Sequence, residues 1–404
     1  MAPRGRIEVE GTVAPGFEPV HSAFVANVAR RGEWGAGFCA WHAGRVVVDL
    51  WGGQAGRARG AVWRADTLAT IFSATKGLVA LSFLMLADRG ALDYDRPVAD
   101  YWPEFARAGK GAITVRTLLN HAAGLIAVDA PLTLDLLEHR PDQVAGILAA
   151  ARPRWSPGAE QGYHAVTFGL YAQELFRRIA GETLGSFLAR EVARPLGADV
   201  YLGLPAELEP RVARNHPATR AERALKIVPK LLFDPGRDGR VYRQVALGRD
   251  AARALGNPRE LGPRGLANFN RRRFRALELP WVNAVASARG LCRVYAALAN
   301  DGAIDGVRLV GAGAIEPVMA RQSWAERDRV LQKPIGWSQG FLKEEVGMFS
   351  PNRESFGHAG AGGALGWCDP RARLALGYVT GKMDHRVRSR RARALCAALY
   401  RCVA

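Results

Sequence analysis

Residues 67–90 read TLATIFSATKGLVALSFLMLADRG, and this stretch decides how the rest of the chain is interpreted. The β-prone run Thr67–Phe72 leads into an apolar segment that predicts a helix from about Ser73 to Arg89. Ser73 and Lys76 are three positions apart, so a helix places both side chains on one face. The stretch therefore predicts a serine and a lysine side by side where a helix begins.

The position of Ser73 suits nucleophilic catalysis. Free backbone N–H groups and the positive end of the helix dipole favour negative charge at a helix N-terminus. A neutral, desolvated Lys76 can accept the serine proton, and a charged Lys76 lowers the cost of forming the alkoxide. The alternative is that Ser73 only caps the helix and that Lys76 is a surface residue.

A second candidate segment is residues 155–165, WSPGAEQGYHA. Its Pro-Gly turn places Tyr163 at the end of a loop, just before a helix predicted over 166–179. A tyrosine near a lysine is expected to have a lowered pKa and to act as a base or proton relay. His164 is a candidate for lining the same cleft. The alternative is that Tyr163 is only a packing aromatic.

A third candidate segment is residues 356–363, FGHAGAGG. A strand ends here in a glycine-rich turn, and small residues such as Gly360 let a substrate lie against the strand edge and use its N–H groups. His358 offers a hydrogen bond or a positive charge at the cleft. The alternative is a hairpin turn without a function.

The order of predicted elements indicates the fold class. Residues 33–53 predict a β-hairpin, helical signals dominate residues 91–195, and a last helix is predicted over 387–402. Strand-like runs return late in the chain, at residues 336–342, 355–358, 364–369 and 374–380. This order predicts an α+β fold, an antiparallel β-sheet flanked by helices with an inserted all-helical domain.

We expect one catalytic unit over residues 1–404. An α/β subdomain of about 1–90 and 281–404 is expected to enclose a helical subdomain of about 91–204. Residues 205–280, which are rich in Arg, Pro and Gly, are expected to be an irregular, variable insertion that lines the cleft. A cleft between such units is a preferred position for a small-molecule site.

Composition limits the classes of function. The net charge is +18, but only 7 of the 56 basic residues are lysine, and no zinc-finger, helix-turn-helix or RNP-like pattern accompanies the arginines. We therefore predict no nucleic-acid partner. The 5 cysteines lack metal-ligand spacing, and no phosphate-binding glycine motif follows a strand, so neither a metal nor a cofactor is predicted. No signal peptide or membrane span is predicted, which together with unpaired cysteines favours the cytoplasm.

The combination of these segments resembles the superfamily of serine β-lactamases and penicillin-binding proteins. The shared pattern is S-x-x-K at Ser73, a tyrosine about 90 residues later and a [K/H/W]-x-G turn near the end. Residues 118–125, LLNHAAGL, resemble the LL-x-H-x-x-GL segment of the esterase-like members. The resemblance spans about residues 20–385 and implies a β-lactamase/transpeptidase-like fold.

The resemblance also implies a mechanism. Ser73 would attack an ester carbonyl after Lys76 and Tyr163 take its proton, and water would later release the acyl group. The backbone N–H groups of Ser73 and Ala361 would bind the oxyanion. His358 and Gly360 would contact the substrate from the third segment. Which of Lys76 and Tyr163 is the base stays open at this point.

Two departures from the β-lactamase pattern favour esters over lactams. Ala165 stands where β-lactamases generally carry an asparagine, and His358-Ala359-Gly360 stands where they carry Lys-Thr-Gly or Lys-Ser-Gly. Both changes resemble the class VIII carboxylesterases and predict hydrolysis of small acyl esters. Three alternatives use the same residues: an acyltransferase, a D-amino-acid peptidase or amidase, and a weak β-lactamase. A non-catalytic ligand-binding module on this fold is the alternative from a different class.

Overall fold

The computed structural model describes residues 8–56, 61–263 and 265–403. The expectation that the chain starts without a signal peptide concerns its N-terminus, of which residues 1–7 lie outside the described part. The strands β1 to β14, in chain order, are Val9–Val13, Gly35–His42, Arg45–Gly53, Ala69–Thr70, Val200–Tyr201, Val285–Ala286, Ala303–Ile304, Val307–Arg308, Ser323–Ala325, Ile335–Ser338, Phe341–Lys343, Phe356–Ala359, Leu365–Asp369 and Leu374–Thr380.

The helices α1 to α16 are, in the same order, Glu18–Arg30, Thr75–Asp88, Val115–Leu119, Leu134–His139, Pro141–Ala150, Thr167–Ala180, Leu184–Phe187, Arg194–Leu196, Arg220–Lys226, Val228–Phe233, Arg237–Leu247, Arg249–Leu255, Arg272–Ala276, Ala288–Ala299, Ala312–Met319 and Arg390–Val403. A π-helical stretch, Leu188–Ala193, joins α7 to α8. None of the helices in the described ranges combines the length and apolar character that crossing a membrane requires.

Within the described residues, nine strands form one antiparallel sheet in the order β1-β3-β2-β14-β13-β12-β11-β10-β9. Successive side chains of a strand point to opposite faces of the sheet, and both faces of the central strands are buried. In β2, Phe38 and Ala40 join one hydrophobic cluster, whereas Cys39 and Trp41 join the other. The cluster that contains Phe38 and Ala40 also includes residues of α1 and α16. The cluster that contains Cys39 and Trp41 includes residues of α2 and α14, so helices cover both faces of the sheet. The predicted α+β fold is confirmed.

Helix α2 lies at the centre of the molecule. Every residue from Thr75 to Leu86 is buried, and the helix contacts β11 and β12 of the sheet on one side and α6 on another. A helix that is apolar around its whole circumference is stable only when protein surrounds it. This placement fixes the N-terminus of α2, where Ser73 and Lys76 lie, between the sheet and the helices that follow.

Two predictions about elements were wrong. The single strand predicted at 336–342 is the hairpin of β10 and β11, because Gln339 and Gly340 both have positive φ and make a two-residue turn. Residues 205–280 are not irregular but contain α9 to α13. These helices have at most eleven residues each, so periodicity alone could not reveal them. Helix α9 begins with a capping box between Thr219 and Glu222.

Candidate active site

Ser73 lies in a 3₁₀ turn, Phe72–Ala74, that leads directly into α2. The turn is held from both sides by Thr75, whose hydroxyl donates to the carbonyl of Phe72 at 2.6 Å and accepts from the N–H of Ala284 at 3.0 Å. Phe72 has a φ of 48°, a backbone conformation that is unfavourable for a bulky side chain. The surroundings therefore impose a strained turn that presents Ser73 at the wall of a cavity.

Two glycines permit the close packing around this turn. A Cβ at Gly77 would lie 2.1 Å from the hydroxyl oxygen of Tyr295, so only glycine lets α2 approach α14 here. A Cβ at Gly360 would lie 2.0 Å from the carbonyl oxygen of Ile71. Gly360 therefore permits close backbone packing against the turn that contains Ser73.

Lys76 is fully buried, with no exposed side-chain surface. Burial holds the pKa of its amine well below the usual lysine value, so the amine is in its neutral form over a wider pH range. Its Nζ donates a hydrogen bond of 2.8 Å to the carbonyl of Trp281 and lies 4.9 Å from the centroid of the Tyr163 ring. A neutral amine with one donor hydrogen engaged keeps its lone pair available for a proton.

Tyr163 is also buried, and it lies on the same cavity wall as Ser73, which interacts with its hydroxyl. The expected lowering of its pKa by Lys76 was wrong. Burial raises the pKa of Tyr163, and the interaction with Ser73 offsets only part of that rise. The reason is that burial disfavours the charged phenolate, and it equally disfavours the charged form of Lys76 that would stabilise a phenolate. Tyr163 is therefore a phenol that can donate a proton, not a phenolate that can accept one.

His164 does not line the cavity, contrary to the expectation from its position beside Tyr163. Its side chain is fully buried, and burial lowers its pKa to about 4. The ring Nδ1 donates to the carbonyl of Gly162 at 2.7 Å, and Nε2 accepts from the N–H of Leu125 at 3.0 Å. These two hydrogen bonds of His164 join the loop that contains Tyr163 to the segment after α3.

His358 is likewise buried behind the cavity wall and not on it. Burial, and then the nearby Lys76, lower its pKa to about 3. The expected positive charge at the cleft is therefore absent, because the imidazole is neutral. Its Nδ1 donates to the carbonyl of Ala359 at 2.9 Å, and the ring centroid lies 5.8 Å from that of Trp337.

Ala361 lies in the turn after β12, and both Ala361 and Gly360 contribute to the cavity wall. The N–H of Gly360 is engaged by the carbonyl of Ala364 at 2.7 Å. Among the described residues, the N–H of Ala361 has no hydrogen-bond acceptor. A free donor at the wall of a cavity that also contains Ser73 is the arrangement an oxyanion site requires.

The cavity has a volume of about 780 Å³ and brings Ser73, Tyr163 and Ala361 together. Most of its wall is apolar, and much of that wall comes from the region of α9 to α12. The apolar contributors from this region are Ile227, Leu231, Val241, Val245, Ala246 and Leu255. A cavity of this size and character suits a small or medium apolar ligand with one reactive polar group.

Three residues that position the site were missed from the sequence. The carbonyl of Trp281 accepts from Lys76, the carboxylate of Asp328 accepts the N–H of Tyr163 at 3.2 Å, and the Trp337 ring stacks on the Tyr163 ring at 5.8 Å and 8°. All three lie more than a hundred residues from their partners, so no local pattern could identify them.

One cluster among the described residues has the side chains and spacing of a metal site: Asp135, Glu138 and His139. All three are exposed, and none lines the cavity. Arg273 already pairs with both carboxylates. An arginine in that position competes with a cation, so the cluster is better described as a surface ion pair.

Comparison with known proteins supports this description of the fold. The model of the beta-lactamase family matches residues 20–399. The chain is 34% identical over 379 residues to the esterase/beta-lactamase LipL of Mycobacterium tuberculosis (strain ATCC 25618 / H37Rv). The aligned region covers 93% of this chain and 83% of LipL.

Two solved structures are similar along nearly the whole chain. A family VIII carboxylesterase superposes with a TM-score of 0.85 at 37% identity, covering 98% of this chain and 100% of that one. A penicillin-binding protein homologue from Caulobacter crescentus superposes with a TM-score of 0.81 at 34% identity, with the same coverage. Fold and relatives define the class as a hydrolase, a carboxylesterase related to the β-lactamases. The chain belongs to the beta-lactamase family.

Proposed function

We propose that this carboxylesterase cleaves small acyl esters through an acyl-enzyme on Ser73. The observation that carries the proposal is the cavity whose wall contains both Ser73 and Tyr163, while the buried amine of Lys76 lies one helical turn from Ser73 and 4.9 Å from the centroid of the Tyr163 ring. Nucleophile, base and acid are thus within one site, as covalent catalysis requires.

In the first step, Lys76 takes the proton of Ser73 as the serine oxygen attacks the ester carbonyl. Burial favours the neutral amine, which is the form that can accept a proton. Tyr163, held as a neutral phenol, donates its proton to the leaving alkoxide and is reprotonated from Lys76. The acyl group is then bonded to Ser73, and the alcohol leaves.

The oxyanion of the tetrahedral intermediate would be bound by the backbone N–H groups of Ser73 and Ala361. The free N–H of Ala361 at the cavity wall supports this assignment. Such preorganised donors act on charge that develops only in the transition state, so they accelerate the reaction and do not merely hold the substrate. Water then attacks the acyl-enzyme, with the same residues moving the proton.

Esters are favoured over lactams by the surroundings of Ser73. Ala165 contributes a methyl group to the cavity and no amide, and the neutral, buried His358 offers no cation to a substrate carboxylate. The test compares kcat/KM for nitrophenyl butyrate with kcat/KM for nitrocefin. We expect the ester to be preferred by a wide margin, and comparable values for both would refute the ester assignment.

A further inference from the structure

Helices α9 and α10 follow one another with only Ile227 between them, and the pair has two distinct faces. Arg223, Ile227 and Leu231, spaced four apart, line the active-site cavity. Positions three and four apart share one face of a helix. The inner face of this helix pair therefore belongs to the cavity wall.

The outer face of the same helices is apolar and exposed. Leu225, Val228 and Leu232, which also have helical spacing, are 76%, 44% and 59% exposed. Phe233 at the end of α10 and Leu247 at the end of α11 are 80% and 76% exposed. We call these five residues the cap face. Large exposed apolar side chains that are concentrated in one segment of the chain are unfavourable in water and indicate an interaction surface.

The segment that carries the cap face has an excess of positive charge. Residues 217–255 contain nine basic residues against four acidic ones. Among the described residues, six of the nine have no carboxylate within ion-pair distance: Arg223, which lines the cavity, and Arg220, Arg240, Arg243, Arg249 and Arg253. Apolar side chains bordered by unpaired cations on short helices have the chemistry of a surface that binds anionic lipid.

The cap face also adjoins the entrance of the cavity. Arg223 and Ala246 both line the cavity and are exposed, and they are close in sequence to Leu225 and Leu247 of the cap face. We propose that the cap face docks on an anionic lipid surface, so that an ester lipid can pass from that surface into the apolar cavity. The passage of an ester rests on the proposed function, whereas the docking does not.

Docking is tested with the full chain and two kinds of vesicle, one of phosphatidylcholine alone and one with phosphatidylglycerol added. We expect binding to the anionic vesicles, weakened by added salt because salt screens the arginines. The triple variant Leu225→Ser, Leu232→Ser, Phe233→Ser is expected to bind about tenfold more weakly or worse, since each side chain would insert apolar surface. The double variant Arg220→Gln, Arg249→Gln is expected to bind several-fold more weakly.

A matched control replaces three exposed valines elsewhere, Val25→Ser, Val46→Ser and Val62→Ser, and should bind vesicles like the unaltered protein. Circular dichroism checks that each variant is folded, and turnover of a soluble nitrophenyl ester checks that the leucine–phenylalanine, arginine and valine variants keep an intact active site. Ser73→Ala should bind vesicles fully, so a failure of the catalytic assignment leaves docking intact. Equal binding to both kinds of vesicle, no binding to either, or association of two copies through the cap face without vesicle binding would each overturn the proposal.

Discussion

The backbone N–H of His164 donates a hydrogen bond of 2.9 Å to Nδ1 of His121. The bond fixes the residue after Tyr163 against the segment that follows α3. His121 itself has a φ of 61°, and its ring lies 5.0 Å from the Tyr163 ring and 4.0 Å from the Trp337 ring. The histidine of the LLNHAAGL segment therefore supports the position of Tyr163 without reaching the cavity.

From this relationship we predict that His121→Ala lowers kcat by about tenfold to a hundredfold and changes KM less, because small displacements of an acid–base group are costly. His121→Asn should restore most of kcat. Asparagine supplies an acceptor oxygen near the position of Nδ1 and tolerates a positive φ. Steady-state kinetics on a nitrophenyl ester measures both parameters, with His139→Ala, an exposed histidine, as control. Full kcat in a folded His121→Ala protein would contradict the positioning role.

We predict that Ser73→Ala reduces ester turnover by about 10³-fold or more, since no nucleophile remains for acyl transfer. Labelling by a fluorophosphonate should be lost in the same variant. Ser22→Ala, at an exposed position on α1, should keep both activity and labelling. Substantial turnover by a folded Ser73→Ala protein would remove Ser73 as the nucleophile.

Lys76 and Tyr163 are expected to act as one proton-transfer unit. Lys76→Ala and Tyr163→Phe should each lower kcat by about 10²–10⁴-fold, the range of general acid–base catalysis. The double variant should be little worse than the poorer single variant, because groups that act together are non-additive. Tyr94→Phe, which also removes a buried hydroxyl, serves as control. Near-normal kcat in Tyr163→Phe would assign the tyrosine to packing only.

The pH dependence of kcat/KM should report the lowered pKa of Lys76. A base acts in its neutral form, so activity should rise with pH through that pKa and then level off. Because burial moves the pKa of Lys76 well below its usual value, the plateau should begin well below pH ~10.4, the ordinary lysine pKa. A pH–rate profile with a stable nitrophenyl ester measures this. A rise that is only half complete near pH 10 would contradict a neutral Lys76.

Acid should destabilise the fold through its buried histidines. The pKa of His164 is lowered to about 4 and that of His358 to about 3, against 6.5 for an unperturbed histidine. At pH values between 6.5 and the lowered native pKa of each histidine, the unfolded chain binds more protons than the native one. The free energy of unfolding therefore falls as the pH drops below 6.5. For His164 alone the full loss is on the order of 3 kcal/mol. Urea unfolding at pH 7 and pH 5 measures the fall.

Replacing His358 by Gln should reduce the dependence of unfolding on pH, because one buried titrating group is removed. His139→Gln, at an exposed position, should leave that dependence unchanged. If the free energy of unfolding were the same at pH 7 and pH 5 in the unaltered protein, the buried histidines could not have the lowered pKa values described.

Short-range patterns were sufficient for the fold class and for the candidate nucleophile. The β2–β3 hairpin, α2 and the late strands β12 to β14 were predicted because each is a local apolar run of β-prone or helix-prone residues bounded by turn residues. The S-x-x-K spacing predicted the neighbourhood of Ser73 and Lys76 for the same reason, since one helical turn joins them. Gly360 followed from a glycine-rich turn after a strand, whereas Ala361 followed only from the resemblance to the superfamily.

Tertiary structure alone decided the electrostatic character of the site. Burial lowers the pKa of Lys76 and raises that of Tyr163, and burial is a property of the whole fold. His164 and His358 were expected at the cleft but turn away from it, because their hydrogen-bond partners and packing hold them behind the cavity wall. Trp281, which accepts from Lys76, and Asp328, which accepts from Tyr163, are each far along the chain from the residue that they contact. A sequence pattern reports local spacing, whereas desolvation and these distant contacts exist only once the chain has folded.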